Sequence, residues 1–418
     1  MRESSLRGGL RAERDVEEQC VYESLFGSTL RLGETSVLPF TPPRISERER
    51  AGHDGALPTD PAHILVSLLL PIGDTLLATP ALAALRRRFP WAKITAMVSH
   101  SNAGILSDNP NIDQLVFVAE RGAESRVRRF ARGLSDLRQN KFDLIITFSP
   151  VSSIVLRMAG LYRRPLRVEM PALWWLLGGH SSRYRNRHAV DHYLQAVMPV
   201  LDEEPSEEDR QPRIYLTARD RTAARVLLRE AGLSPANLLI AMHVGGEGFE
   251  GRKRWAPRRF AAVANHLIEL FHAHILLIGG GDDAPLCDEV AGLIAPSKVT
   301  VLAGRTSLKE TAALIEMSAM FIGNDSCPLH IAAAVNTPSV GIFGPSNIQQ
   351  FQPIGKRNYR QRMVHSNLPC APCFHFIGNG APWVPNTCHS MACLKAITPE
   401  MVATAATELL REQVAGEG

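Results

Sequence analysis

The chain has 418 residues, of which 45% are hydrophobic and 21% are charged, and its formal net charge at pH 7 is +4. This length is enough for two or three domains with full cores. No apolar run approaches the roughly 18 residues of a spanning helix, so we do not expect an integral membrane protein. Its seven cysteines and the Arg- and Glu-rich amino end do not fit a secreted disulfide framework or a cleaved signal, and a reducing cytoplasm is expected.

The hydrophobic pattern divides the chain into three parts. Residues 1–60 lack sustained periodicity and include a polar, proline-bearing stretch, which predicts a mostly disordered extension. From His63 onward, apolar segments of strand length alternate with helical segments, a pattern typical of a parallel sheet covered by helices on both faces. The alternation pauses in the acidic segment 201–213 and then restarts. We therefore predict α/β domains at 61–205 and 206–418, with a binding cleft between them.

A Gly-Asp turn follows the first apolar strand. Gly73 permits a tight turn, and Asp74 lies at the start of the next helix. Asp74 could simply cap that helix, which is worth ~1 kcal/mol. A carboxylate at the end of the first strand, facing the cleft, could instead take a proton from a reacting hydroxyl and contribute ~10²–10⁴ in rate. The residues alone leave both interpretations open.

The segment from Ala119 to Val190 is strongly basic, with 14 Lys or Arg against five acids. Such an excess attracts anionic partners. Trp174 and Trp175 lie in an apolar run within it, which fits a core position somewhat better than an interfacial loop at a membrane. The predicted partner of this segment is therefore an anionic molecule.

The loop HVGGEGFEGRKRW contains glycines that satisfy the G-x-G-x-x-G pattern after a strand. A dinucleotide site needs its helix to begin within the glycines, whereas Pro257 is the first residue here that can open one, so NAD binding is rejected. The loop instead predicts a close approach to phosphate at Gly245 and Gly246, with Lys253 or Arg254 as the charged contact.

Two further features at strand ends favour structural roles. We interpret His243 as a strand-end histidine, and the GGGDD segment at 279–283 as a tight turn with exposed acids.

The segment GNDSCPLHIAAAVNTP places polar residues between a buried strand and a helix. Asp325 is expected at the helix cap, with Pro328 in the first turn. The start of a helix presents unpaired N–H groups and a partial positive charge, which suit a diphosphate. Asp325, Ser326 and His330 are therefore candidate ligand-binding residues.

Four cysteines form a C-x2-C-x14-C-x4-C pattern within residues 370–393. Cys370, Cys373, Cys388 and Cys393 are candidate ligands of a structural zinc or iron ion, since thiolates suit both metals. A metal-free segment is an equally good interpretation, and a catalytic metal is not expected.

Three blocks of this sequence, in this order, resemble glycosyltransferase family 9, the bacterial heptosyltransferases. HILVSLLLPIGDTLLATPALAAL is similar to the family's opening strand, Gly-Asp turn and Thr-Pro-Ala-Leu helix. HVGGEGFEGRKRW is similar to its His-x-Gly loop and Lys-x-Trp element, and DSCPLH to its Asp-Ser-Gly-x-x-His motif, with Cys327 in place of glycine. The resemblance implies the GT-B architecture, in which two Rossmann-like domains face each other across a cleft, and a final helix that can return to the amino-terminal domain.

The resemblance also implies an activity and the residues responsible. Such enzymes transfer a heptose from ADP-heptose to a hydroxyl of the lipopolysaccharide inner core with inversion, without a required cofactor, at the cytoplasmic face of the inner membrane. Asp74 would then be the base. Lys253 and the helix start at Ser326 would hold the diphosphate, and Asp325 and His330 would shape the nucleotide and sugar pocket.

Other functions remain open on sequence grounds. The sugar or the acceptor could differ, as for an O-antigen, a capsule or a protein, and a GT-B sugar-nucleotide epimerase is a second enzyme class. A nucleic-acid-binding module, with salt-dependent affinity and no sugar-nucleotide turnover, is a non-enzymatic alternative. We expect a nucleotide sugar and an anionic glycolipid as partners, and no nucleic acid.

Overall fold

The computed structural model describes residues 59–119, 137, 140–148, 156, 166–169, 187–234, 236–246, 251–373, 388 and 390–416. These residues belong to one compact unit, Ile45–Gly418. The extension predicted at residues 1–60 lies outside the described residues except at its last two positions.

The first half forms a parallel five-stranded sheet in the order β3-β2-β1-β4-β5. Its strands are β1 (His63–Leu68), β2 (Lys93–Ser99), β3 (Gln114–Ala119), β4 (Leu144–Thr147) and β5 (Leu166–Glu169). The central strand β1 aligns Ile64 with Ile94 on one side and with Leu144 on the other. Residues 64–68 of β1 are all buried, as expected for a parallel strand covered on both faces.

The helices that the described residues of this half form are α1 (Ile72–Leu77), α2 (Thr79–Arg88), α3 (Ala103–Leu106) and α4 (Ala189–Val197). Pro80 lies in the first turn of α2 and has no N–H to continue the hydrogen bonds of α1. The hydroxyl of Thr79 donates instead to the carbonyl of Leu76 over 2.7 Å. The chain therefore divides into two helices at Ala78 and does not form one kinked helix.

The second half forms a parallel six-stranded sheet in the order β11-β10-β9-β6-β7-β8. Its strands are β6 (Leu239–His243), β7 (His274–Leu277), β8 (Val299–Val301), β9 (Met320–Asn324), β10 (Ser339–Phe343) and β11 (Gln361–His365). Its helices are α5 (Ala218–Glu230), α6 (Pro257–Phe271), α7 (Ala284–Ala291), α8 (Leu308–Glu316), α9 (Cys327–Ala334), α10 (Ile348–Phe351), α11 (Ala392–Ala396) and α12 (Pro399–Gly416).

The helix boundaries settle two sequence-based expectations. Helix α6 begins at Pro257, after the glycine loop has ended, which supports the rejection of a dinucleotide fingerprint. The final helix α12 packs against α6, β10 and β11 of the second sheet, so the expected return to the amino-terminal half is wrong. The division of the chain at 205/206 stays a prediction.

Both sheets share one topology. Each begins at a central strand, adds two strands on one side and then adds the rest on the other, so the order reverses between β1 and β4 and between β6 and β9. Ligands of such sheets bind at the carboxyl ends of the strands beside this reversal. Asp74 lies in the first turn of α1, shortly after β1, and the loops after β6 and β9 contain Lys253 and Asp325. The topology thus collects the candidate residues at the two reversal points.

One hydrophobic core runs through both halves and joins residues of β1 to residues of β9 and α9. Helix α1 also packs directly against α9, which brings the two reversal points together. Among the described helices, none combines the length and the apolar character needed to cross a membrane.

Candidate active site

Asp74 is the third residue of α1, and the position of the N-cap is taken by Pro71. The interpretation of Asp74 as a helix cap is therefore wrong. Its Oδ1 instead accepts a hydrogen bond of 2.8 Å from the hydroxyl of Tyr193 on α4. The ring of Tyr193 is buried and meets Phe148 edge-on, with ring centres 5.6 Å apart. Asp74 is thus held by a contact between distant parts of the first half.

Burial raises the pKa of Asp74 to about 6, against an ordinary value of 3.8. The hydrogen bond from Tyr193 and the positive charge of Lys253 oppose this rise, and the negative charge of Asp325 adds to it. A carboxylate with this pKa is mostly ionised at neutral pH and is a stronger base than an exposed aspartate.

Lys253 and Asp325 form an ion pair at the start of α9, with 2.7 Å between Nζ and Oδ2. Burial by itself raises the pKa of Asp325, but the charge and the hydrogen bond of Lys253 outweigh it and bring the pKa below its ordinary value. The ammonium group also lies 5.2 Å from the centre of the Phe351 ring. A fixed positive charge therefore lies beside the start of α9.

Ser326, and not the expected Asp325, occupies the N-cap of α9. Asp325 is directed to Lys253, and the hydroxyl of Ser326 makes no bond to its own helix. It donates to the carbonyl of Asn324 and lies 3.1 Å from Nδ1 of His243. Within the part of the chain that the structure describes, no side chain therefore caps the first turn of α9, whose N–H groups are the predicted diphosphate contacts.

A chain of polar contacts joins the three loops that follow β6, β7 and β9. Nε2 of His243 lies 3.4 Å from Oδ2 of Asp283, and the other carboxylate oxygen of Asp283 accepts the N–H of Gly246. Asp283 is buried, so the expectation of exposed acids in the GGGDD turn is wrong for this residue, while Asp282 is exposed. A Cβ on Gly245 would lie only 1.8 Å from Asp283 Oδ1, so this position has no room for a side chain.

The second basic residue of the loop has a structural role. Nε of Arg254 donates to the carbonyl of Gly246 over 2.9 Å, which fixes the glycine loop. The side-chain amide of Asn324 donates to the carbonyl of Gly245 and accepts the backbone N–H of Trp255. Of the two candidates for the phosphate contact, this arrangement favours Lys253.

Asp74 and α9 face each other closely. A Cβ on Gly73 would lie 3.6 Å from the Cα and the Cβ of Cys327. Burial and the negative charge of Asp74 raise the pKa of the Cys327 thiol to about 12. His330, one turn further along α9, is buried, and burial lowers its pKa to about 4. The structure therefore brings the residues predicted from three separate motifs to one place.

The cysteine segment lies apart, on the second sheet. The N–H of Cys373 donates to the carbonyl of Pro345, and Cys393 is buried in a core cluster with β10 and α12. Burial, together with the charges of Cys388, Cys393 and Cys370, raises the pKa of the Cys373 thiol to about 11. Within the described ranges, however, no three His, Cys, Asp or Glu side chains are arranged as ligands of a metal ion.

Two sequence-based predictions lie largely or wholly outside the described residues. Most of the basic stretch from 119 to 190 is not described, and the same holds for Trp174 and Trp175.

Three site residues were not singled out from the sequence. Tyr193 lies 119 positions from Asp74 in a helix without a motif, and no local pattern signals it. Asn324 directly precedes Asp325 and is a polar residue at the end of a buried strand, a local pattern that could have indicated a role in the site. The sequence marks Asp283 only as one of the two acids of the GGGDD turn.

Three buried histidines make stability depend on pH. Burial lowers the pKa of His188 and His192 to about 3 and that of His330 to about 4, against an ordinary 6.5. The unfolded chain binds protons at these sites below about pH 6.5 while the folded chain does not, so stability is lost as the pH falls, by up to roughly 1.4 kcal/mol per pH unit for each group. Between pH 3.8 and about pH 6, the raised pKa of Asp74 has the opposite effect, because there the folded chain binds a proton that the unfolded chain does not.

Urea unfolding should therefore give a lower free energy of unfolding at pH 5 than at pH 7. His192→Asn should reduce this difference, whereas His365→Asn, at an exposed position, should not. Equal free energies at both pH values would contradict the assignment of buried neutral histidines.

Comparison with known proteins identifies relatives of this chain. The model of glycosyltransferase family 9 (heptosyltransferase) matches residues 127–378, more than half of the chain. A lipopolysaccharide heptosyltransferase 3 of Escherichia coli is 29% identical over 283 residues, which cover 66% of this chain and 81% of that protein. A lipooligosaccharide heptosyltransferase 2 of Campylobacter jejuni is 26% identical over 357 residues, which cover 83% of this chain and 98% of that protein.

Solved structures agree on the fold. The ADP-heptose lipopolysaccharide heptosyltransferase II of E. coli superposes with a TM-score of 0.63 at 19% identity, over 84% of this chain and 99% of that one. Together with the two parallel sheets, this confirms the predicted α/β fold of GT-B architecture.

Proposed function

Since the chain belongs to glycosyltransferase family 9 and is a glycosyltransferase, we propose that it transfers a heptose from ADP-heptose to a hydroxyl of the lipopolysaccharide inner core. The observation that supports this best is the meeting of α1, with the partly buried Asp74, and α9, with the Lys253–Asp325 pair beside its open start. A base and an anion site placed opposite each other suit a displacement that expels a diphosphate.

The reaction is a single displacement. Asp74 takes the proton of the acceptor hydroxyl while its oxygen forms a bond to the anomeric carbon of the sugar. The bond between that carbon and the diphosphate oxygen breaks, and its electron pair leaves with the diphosphate. Attack from the face opposite the leaving group inverts the anomeric centre.

The leaving diphosphate gains negative charge during the displacement. Lys253 and the uncapped N–H groups of α9 at Ser326 stabilise that charge. Gly245 packs closely on Asp283 and Gly246 lies beside Ser326, so the backbone of the glycine loop can come close to phosphates bound at the start of α9. Asp325 orients Lys253 and, with His330, shapes the nucleotide and sugar pocket.

The acceptor is an anionic glycolipid, and the basic composition of the segment from 119 to 190 suits such a partner. A lipid-linked acceptor places the enzyme in the cytoplasm, in peripheral contact with the inner membrane. Names of the relatives support lipopolysaccharide or lipooligosaccharide as the product class.

Mass spectrometry of products tests the proposal. The enzyme would be incubated with a panel of ADP- and UDP-sugars and lipid A precursors that lack heptose. We expect the addition of one heptose to the acceptor, and we expect it only when ADP-heptose is the donor. Transfer of another sugar, epimerisation without use of acceptor, or nucleic-acid binding without turnover would each replace this proposal with the corresponding alternative.

We also propose that Cys370, Cys373, Cys388 and Cys393 hold a structural zinc or iron ion. The C-x2-C-x14-C-x4-C pattern supplies four thiols, a donor set that suits either metal. The metal would brace the segment on the second sheet and take no part in transfer, where Lys253 and α9 supply the positive charge.

Protein purified without added metal should then contain about one equivalent of zinc or iron. Cys373→Ser should lose it, while Cys287→Ala, at a buried cysteine of α7, should retain it. Transfer should persist in EDTA. A metal-free and fully folded protein would refute the metal site and leave the transferase proposal intact.

A further inference from the structure

Tyr193 provides the hydrogen bond that defines the geometry of Asp74. Its hydroxyl donates to Oδ1 over 2.8 Å, and among the described residues no other group donates to this carboxylate. One carboxylate oxygen is therefore occupied, and Oδ2, which accepts no hydrogen bond from the described residues, can receive the acceptor's proton. The acceptor's proton has a defined destination only while Oδ1 is held.

The phenol ring is itself firmly placed. Tyr193 is 1% exposed, and it lies on α4, which packs against both α1 and α2. The perpendicular contact with Phe148 at 5.6 Å fixes the plane of the ring at the end of β4. A buried tyrosine that donates to a neighbouring carboxylate is a rigid donor, whereas a water molecule at that position could reorient.

We propose that Tyr193 is a positioning residue that orients Asp74 and stabilises its ionised form during transfer. The proposal rests on Asp74 being the base of the proposed function. Tyr193 acts through Asp74 and does not itself exchange a proton, because burial and the negative charge of Asp74 raise its own pKa well above the ordinary value.

The other charges around Asp74 set the background for this effect. Lys253 favours the ionised carboxylate and Asp325 disfavours it. The thiol of Cys327 on α9 is neutral near pH 7. The imidazoles of the buried histidines His188, His192 and His330 are also neutral at this pH. Cys327 and the three histidines do not change charge between pH 6 and pH 8, so a change in the titration of Asp74 on altering Tyr193 reports the lost hydrogen bond.

The test is Tyr193→Phe, which removes the hydroxyl and keeps the ring. Loss of a hydrogen bond to a charged group should move the pKa of Asp74 upward from about 6 by about one to two pH units. ¹³C NMR of labelled aspartate carboxyls measures this titration directly, with Asp74 assigned by its absence in Asp74→Asn. The acid limb of the kcat profile should move by the same amount, so that activity recovers at high pH.

A matched control is Tyr359→Phe, which removes a tyrosine hydroxyl bonded to Ser339 in the second sheet. It should leave the titration of Asp74 unchanged. If Tyr193→Phe fails to fold, 3,5-difluorotyrosine at position 193 keeps the shape and makes the phenol a stronger donor, so it should lower the pKa of Asp74.

An unchanged titration of Asp74 in a folded Tyr193→Phe protein, or in the fluorinated protein, would overturn the proposal. The NMR readout does not depend on turnover. A protein that transfers no sugar yet shows the expected titration shifts would therefore refute the proposed function and leave the Tyr193–Asp74 coupling in place.

Discussion

Replacement of Asp74 by asparagine should lower turnover by roughly 10²–10⁴ and leave folding and nucleotide-sugar binding almost unchanged. The amide has nearly the volume of the carboxyl group, and its oxygen can still accept the hydrogen bond that Tyr193 donates to Oδ1. It has no basic lone pair to take the acceptor's proton. Because the amide is uncharged, its burial also costs less than that of a carboxylate. The loss should therefore fall on the chemical step alone.

Single-turnover rates at saturating nucleotide sugar and acceptor isolate that step. Asp282→Asn makes the same exchange at an exposed acid and should turn over like the wild type. The wild-type kcat should rise with pH through about 6 and then level off, since Asp74 must be ionised to act. If Asp74→Asn stays within a few-fold of the wild type while chemistry limits the rate, another group is the base.

Much of the fold can be predicted from sequence because its signal is local. Buried parallel strands appear as short apolar runs such as HILVSL and LIAMH, and the helices between them are marked by caps and proline. Strand order is not local, since β1 aligns Ile64 with Leu144, 80 positions along the chain. Periodicity does not encode that pairing, so only the structure gives it.

The residues of the candidate site likewise divide into those that a local sequence pattern indicates and those that it does not. Asp74, Lys253 and Asp325 each follow a recognisable strand, and their convergence follows from the topology of parallel sheets. Tyr193 and Asp283 reach the site through contacts that no spacing encodes. Their side chains are chosen by packing in three dimensions, so only the structure could identify them.

Neither Asp325 nor Asp74 caps the helix at whose start it lies, and the physical cause is the same for both. Propensity assigns an aspartate at a helix start to the N-cap. Asp325 is instead taken up by Lys253, 72 positions away, which leaves the cap to Ser326. Asp74 is likewise taken up by Tyr193. In both cases a distant partner competes successfully with the local backbone for the carboxylate.

Lys253→Ala should weaken the binding of an ADP-sugar by about 1.5–3 kcal/mol, roughly 10- to 100-fold, because a charge-assisted bond to phosphate is lost. The structure adds a second effect. Lys253 is the ion-pair partner of Asp325, whose side chain is only 4% exposed. Removing one partner of a buried pair leaves an uncompensated charge and costs about 3–5 kcal/mol of stability. A simple alanine variant therefore mixes lost binding with a weakened fold.

The double variant Lys253→Ala with Asp325→Asn separates the two effects. It removes the stranded charge, so the free energy of unfolding should return toward that of the wild type, while calorimetry should still show weak ADP-sugar binding. Recovery of affinity in the double variant would mean that Lys253 only supports Asp325 and does not contact phosphate. Unchanged affinity in Lys253→Ala itself would move the contact to Arg254, although the bond of that residue to the carbonyl of Gly246 already gives it a structural role.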